Sequence, residues 1–243
     1  MPHGNRITCD APRGVRYRDC LRQKAIPMTI QLYGFWRSNA AFRVRVALAL
    51  KNLDFEEIDI DILSGRQFDP GYAEVNAEHV VPTLVHDGRA IFQSLAIIEY
   101  LDEIHPEPRL LPADPSERAY ARSLAMILAA DAHPLTVPRV RKHLAQAFGA
   151  DAAAIETWCR HWTAEGLSTY ERLLTRRPAA SFALGPAPTI ADISIAGQVA
   201  LADVYRMELA AFPEVAALAK RCFALPAFAE AHPFQQRGYN PAG

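Results

Sequence analysis

Residues 29–60 read TIQLYGFWRSNAAFRVRVALALKNLDFEEIDI. The opening Thr29-Ile30-Gln31-Leu32-Tyr33 alternates apolar and polar residues and is rich in strand formers, which predicts a β-strand. A polar break follows at Arg37-Ser38-Asn39. From 40 to 50 the apolar residues Phe42, Val46 and Leu50, with Val44 and Leu48, recur at helical spacing. Asn52 is suited to the left-handed conformation that stops such a helix. Residues 55–60 alternate again and predict a second strand. A strand, a helix and a strand in so short a stretch form a βαβ unit, so the two strands are expected to run parallel.

Working outward, 63–80 is mixed and gives no clear element. Thr83-Leu84-Val85-His86 and Arg89-Ala90-Ile91-Phe92 flank Asp87-Gly88, the pattern of a hairpin on a tight turn. Ser94 is placed to cap a helix over 95–105, which Pro106 and Pro108 would end. The order βαβ, irregular segment, ββα matches a thioredoxin-like arrangement of helices around a small mixed sheet. Four prolines between 106 and 115 make a stiff connector. Beyond it, helical character recurs over 117–132, 139–148, 152–174, 191–204 and 213–222, with nothing sheet-like. The expected fold is an α/β N-terminal thioredoxin-like domain (28–107), a linker (108–115) and an all-helical C-terminal domain (116–243).

Composition narrows the function classes. Hydrophobic residues make up 50% of the 243 and charged residues 22%, enough apolar content for a sizeable core. The formal charge of −1 argues against a nucleic-acid binder held by bulk charge. The longest apolar run, 124–130, is too short to span a bilayer. Cys9, Cys20, Cys159 and Cys222 are scattered with no C-x-x-C pair, so neither a disulfide scaffold nor a zinc site is expected, and a reducing cytoplasm suits them. Residues 1–27 carry six basic side chains against two acidic ones and no apolar segment of a secretory signal. They read as a disordered leader or as an upstream start, with a basic contact arm or organellar address as the alternative.

Several ordered motifs carry a resemblance. They are Phe35-Trp36-Arg37-Ser38 running into Phe42-Arg43-Val44-Arg45-Val46-Ala47-Leu48, then Val80-Val81-Pro82-Thr83-Leu84, then Gln93-Ser94-Leu95-Ala96-Ile97-Ile98-Glu99-Tyr100-Leu101. Further on come Arg109-Leu110-Leu111-Pro112 with Asp114, Asp131-Ala132-His133-Pro134-Leu135, and Pro188-Thr189-Ile190-Ala191-Asp192. Taken in order they resemble the glutathione transferase superfamily, closest to its zeta class of maleylacetoacetate and maleylpyruvate isomerases.

The resemblance implies a homodimeric enzyme with glutathione as coenzyme and a small, dicarboxylic electrophile as substrate. The thiolate would add to an activated double bond, and its departure after rotation would return the trans isomer. Conjugation or dehalogenation of other small electrophiles is the alternative within enzymes; a non-catalytic glutathione-binding or structural protein of the same fold is the alternative outside them. The resemblance assigns Ser38 to the thiolate, with Asn39 as a second donor and Arg37 beside them. It assigns Val81 and a cis Pro82 to the cysteinyl backbone, Gln93 and Ser94 to the γ-glutamyl carboxylate, Asp131 and His133 to the neighbourhood of glutathione, and Arg37 and Arg139 to substrate carboxylates.

Read without it, Ser38 and Ser94 are helix caps, Pro82 begins a strand, and Arg139 and His133 are helix-end charges. Asn39-Ala40 departs from the family's usual Ser-Cys, and Val204 stands where a further arginine is expected, with Arg206 two residues on. Glu99 reads as solvated or as a surface partner. Thr189 and Asp192 form a capping box, a structural device. Trp158, Trp162, Tyr170 and Leu174 recur at helical spacing and are read as core.

Overall fold

The computed structural model describes residues 30–240. The proposed leader, with Cys9 and Cys20, lies outside the described residues. The sheet begins with β1 (Ile30–Gly34), α1 (Asn39–Leu50) and β2 (Glu56–Asp59), and β2 pairs parallel to β1 with Gln31 opposite Glu56. Helix α1 starts one residue before the apolar spacing begins, because Ser38 is its N-cap; Asn52, at φ +52°, ends it in the left-handed region.

β3 (Thr83–His86) and β4 (Arg89–Phe92) form the hairpin, and Asp87 (φ +50°) with Gly88 (φ +73°) makes its turn. The strand order is β2-β1-β3-β4, with β3 antiparallel to both neighbours. The unassigned 63–80 stretch holds a 3₁₀ turn (Arg66–Phe68) and a short helix α2 (Pro70–Val75). Helix α3 covers Ser94–Ile104 and corrects the expected cap: Gln93 is the N-cap, without a side-chain bond, and Ser94 is the first helical residue.

The proline-rich connector is held by a buried ion pair. Lys51 Nζ, fully buried, donates to Asp102 Oδ1 (2.8 Å) and to the carbonyls of His105 (2.5 Å) and Pro108 (3.0 Å). The Asp102 carboxylate in turn accepts the backbone N–H groups of Leu110 (2.7 Å) and Leu111 (3.2 Å). The Lys51 ammonium can be buried only because these partners surround it.

The helical half comprises α4 (Pro115–Met126), α5 (Pro138–Phe148), α6 (Ala152–Leu174), α7 (Ile190–Val204), α8 (Pro213–Phe223) and a one-turn α9 (Pro226–Ala229). The expected unbroken helix 117–132 instead widens into a π-helical turn over Ile127–Ala132 and tightens into a 3₁₀ turn over His133–Thr136. Pro134 has no N–H to continue the α-helical ladder. Gly166 of α6 closes on this segment: a Cβ there would stand 2.8 Å from the Ala132 Cβ.

Helix α7 is the hub. All of its residues from Ile190 to Ala202 are buried, and the Thr189–Asp192 capping box is present as read. Asp192 accepts the N–H of Ala183 (2.7 Å) and both the N–H (2.8 Å) and hydroxyl (2.9 Å) of Thr189. Gly197 lets α7 close on α1, since any Cβ would overlap Asn39 Oδ1 and stand 3.1 Å from Phe42. Tyr170 is fully buried with its hydroxyl donating to the Ala191 carbonyl (2.9 Å), and Leu174 packs on the same core. Trp158 and Trp162 are half-buried in an edge-to-face pair; Trp158 Nε1 donates to the Leu135 carbonyl (2.7 Å).

Candidate active site

The end of β1, the loop before β3, the start of α3 and the faces of α4, α5, α6 and α7 enclose a cleft of about 1400 Å³. That exceeds the ~300–1,000 Å³ of most small-molecule pockets and leaves room for two ligands side by side. Arg37, Ser38, Asn39, Val81, Pro82, Gln93, Ser94, His133 and Arg139 all border it. Asp131 does not: it is exposed and outside the cleft of its own chain. Trp158, Trp162 and Tyr170 stay outside the lining too.

Three corners are built for different chemistry. In the first, β1 delivers Ser38 to the amino end of α1. The hydroxyl oxygen accepts the Ala41 N–H (3.2 Å), and its own proton has no acceptor among the described residues. The N–H groups of Asn39 and Ala40 also lack chain partners, as first-turn amides do. A donor hydroxyl beside the positive end of a helix favours a soft anion such as a thiolate. Asn39 differs from its expected role. Its amide is buried at the seam with α7, where Nδ2 donates to Gln198 Oε1 (3.3 Å) and Oδ1 accepts from Arg43 (3.3 Å). That geometry ties the two halves together and leaves Ser38 as the side-chain donor here, with Ala40 contributing a methyl.

In the second corner the Val81–Pro82 peptide is cis. A polar cluster holds the loop. Tyr72 Oη donates to the Val80 carbonyl (2.5 Å) and lies 2.9 Å from Thr83 Oγ1; Asn76 Nδ2 donates to the same two oxygens, at 3.1 and 2.9 Å. Val81 is left with neither its N–H nor its C=O bonded among the described residues. An extended peptide can add there as a further strand.

In the third corner Gln93 has φ +69°, outside the usual range for its residue type, and its side chain donates to Glu78 at 2.8 Å. Ser94 Oγ is buried and accepts from Arg43 Nε (2.9 Å), so its proton can point at a ligand from the amino end of α3. Arg43 itself is only 2% exposed, and burial with no acidic partner pulls its guanidinium down to about 10. Sequence reading passed over it; the available signal was a cation on an otherwise apolar helix face, where Arg45 shares the pattern but is paired with Glu57 (2.8 Å). His133 follows the π-helical turn; burial, then Arg43 and Arg139, push its imidazole down to about 3, so it is neutral at pH 7. Glu99, at the rim, is held in a two-bond pair with Arg122 (2.8 and 2.7 Å).

The opposite wall is cationic. Arg37 lies 5.7 Å over the Trp36 ring, and burial, then Arg141, disfavour its charge. Arg139 is exposed at the rim, Arg141 is half-buried, and Arg206 lines the edge beside Val204 and Tyr205. None of Arg37, Arg139, Arg141 or Arg206 has an ion-pair partner among the described residues. A cleft with this many unpaired cations is suited to an anion with more than one acidic group.

Comparison with known proteins gives the chain its family. Residues 28–103 match the family model for the N-terminal domain of glutathione S-transferases. Maleylpyruvate isomerase of a Ralstonia species is 36% identical over 208 residues, covering 85% of this chain and 98% of the relative. A holo structure of maleylpyruvate isomerase, a bacterial zeta-class glutathione S-transferase, superposes with a TM-score of 0.84 at 36% identity, covering 86% of this chain and all of that one. Maleylacetoacetate isomerase of Methylobacterium extorquens AM1, solved with malonate and glutathione, gives a TM-score of 0.84 at 39% identity, over 86% of this chain and 99% of that one. With the fold, the cleft and near-full-length likeness in agreement, the chain belongs to the glutathione S-transferase superfamily, within its zeta class of maleylacetoacetate and maleylpyruvate isomerases.

Proposed function

We propose that the chain is a glutathione-dependent cis–trans isomerase of a small maleyl dicarboxylate. One observation carries the reading: a free serine proton at the amino end of α1 shares a single cleft with a wall of unpaired arginines. The residues fit glutathione, since the unpaired Val81 backbone, the Ser94 hydroxyl backed by a buried cation, and Ser38 match a peptide with an anionic end and a thiol. Glutathione, when bound, supplies a thiolate that can add to and leave an electron-poor double bond.

The chain's own part is electrostatic and positional. Ser38 donates to the sulfur position and the first-turn amides of α1 add their partial positive charge. Arg37 and the arginines of α5 hold the substrate's carboxylates so that the double bond faces that position. Neutral His133 adds no further cation to a corner already holding Arg43.

In the same reading the protein is a cytoplasmic homodimer. The buried free thiols of Cys159 and Cys222 suit a reducing compartment, and the exposed Phe92 on β4 and Met126 on α4 offer apolar contacts to a second copy. Asp131, outside its own cleft, would meet glutathione only across such an interface. No helix among the described residues is long and apolar enough to cross a membrane. The direct test incubates the purified chain with glutathione and maleylacetone. Glutathione-dependent cis-to-trans conversion is expected; intact glutathione binding with no conversion of any maleyl compound would overturn the isomerase.

A further inference from the structure

Arg141 is absent from every motif quoted above, yet the cleft brings it to the most cationic wall. Its Nε is fully buried and has no hydrogen-bond partner. It lies on α5 and lines the same wall of the cleft as Arg37, whose charge it disfavours. No carboxylate among the described residues pairs with either. Two half-buried guanidinium groups sharing one cleft wall without an anion are uphill in free energy, and a bound anion relieves both at once.

Tyr205 completes the wall. Its hydroxyl lines the cleft with both arginines, and burial, outweighing their field, keeps it protonated. It is thus a neutral donor at the cleft surface. The same wall lacks a cation at position 204: α7 ends at Val204, and Arg206, in the left-handed region at φ +52°, is exposed at the rim.

We propose that Arg141, with Arg37 and the Tyr205 hydroxyl, forms the seat for the substrate carboxylate remote from the double bond, so that α5 supplies the cation missing at position 204. The inference rests on the proposed isomerase reading for the identity of the substrate, but the seat takes a carboxylate, and with the rim cations a dicarboxylate, whatever the turnover. Arg139, exposed on the same helix, stands at the entrance. The seat selects dicarboxylates over monocarboxylates, because a ligand with one acidic group leaves either the seat or the rim cations unmatched.

The test is calorimetric titration of malonate into the full-length chain saturated with glutathione. Binding to the wild type is expected, weakened at least tenfold in Arg141→Met and about threefold in Tyr205→Phe. Lys220→Met, exposed on α8 and away from the cleft, serves as control and should bind malonate as the wild type does. Thermal unfolding guards against misfolding: without malonate, Arg141→Met should melt at or above the wild-type temperature, since a repulsion is removed, and malonate should raise its melting point far less.

Wild-type malonate affinity in Arg141→Met, loss of binding in Arg139→Met but not Arg141→Met, or no binding by the wild type would each overturn the seat. If the wild type binds malonate through Arg141 yet converts no maleyl compound, the seat stands and the isomerase falls. If it converts maleylpyruvate but Arg141→Met leaves KM unchanged, the isomerase stands and the seat falls.

Discussion

Replacing Ser38 by alanine separates two roles that one oxygen plays. As an N-cap, Ser38 accepts a single long bond from the Ala41 N–H at 3.2 Å, on a half-buried helix end. Losing it should cost about 0.5–1 kcal/mol, toward the low end for caps. For a domain of this size that lowers Tm by roughly 1–4 °C. As a donor to sulfur, its free proton makes a charge-assisted bond worth about 1.5–3 kcal/mol. At about 1.4 kcal/mol per unit, the pKa of bound glutathione should rise by about one to two units.

The first-turn amides of Asn39 and Ala40 remain, so the shift is partial and the sulfur still titrates below its free value of about 8.5. At pH 7 the thiolate fraction, and with it kcat, falls about fivefold to twentyfold; above pH 9 the two enzymes converge. The assay follows thiolate ultraviolet absorbance of the glutathione complex against pH, beside the pH profile of kcat. Ser38→Thr keeps a hydroxyl and should restore most of the shift. An unmoved thiol pKa in Ser38→Ala, with glutathione still bound, would refute the placement of sulfur at the amino end of α1.

Three further outcomes are expected. Asn76→Ala removes the donor to Val80 and Thr83 that fixes the cis-Pro82 loop; glutathione Kd should rise about tenfold by titration calorimetry, with stability down about 2 kcal/mol. His133 is held near 3 when folded against an ordinary value near 6.5, so the unfolded chain takes up the proton first on acidification. The stability this group contributes is therefore full above about pH 6.5 and is lost as pH falls toward 3. Acid denaturation of His133→Gln should be shallower by up to about one proton across that window. Lys51→Met leaves Asp102 buried against the connector without its cation, which should cost about 3 kcal/mol and lower Tm by roughly 6–12 °C, measured by calorimetry.

Much of this molecule was readable from local patterns. The alternation at 29–33 and 55–60, the helical spacing between them and the Asp87-Gly88 turn depend on contacts a few residues apart, and each element appears where expected. The capping box at Thr189 and Asp192 is equally local. Motif order carried Ser38, Val81, Pro82 and Ser94 to the cleft because strand ends and helix starts are fixed by the same short-range signals.

What local sequence could not settle were partners distant in the chain. Whether Ser94 caps a helix or accepts from a buried arginine 51 residues earlier is decided by how α1 lies against α3. Asn39 turns to Gln198 across 159 residues because Gly197 lets α7 approach, and so it leaves the sulfur corner to Ser38. Pro134 and the packing of Gly166 break a helix that looked continuous and place His133 in the cleft while Asp131 faces out. The sequence by itself determined which residue types were available and the order of the elements, since those follow from periodicity and turn chemistry. Only the tertiary structure decided which cations went unpaired, because charge pairing and desolvation are sums over neighbours that folding alone brings together.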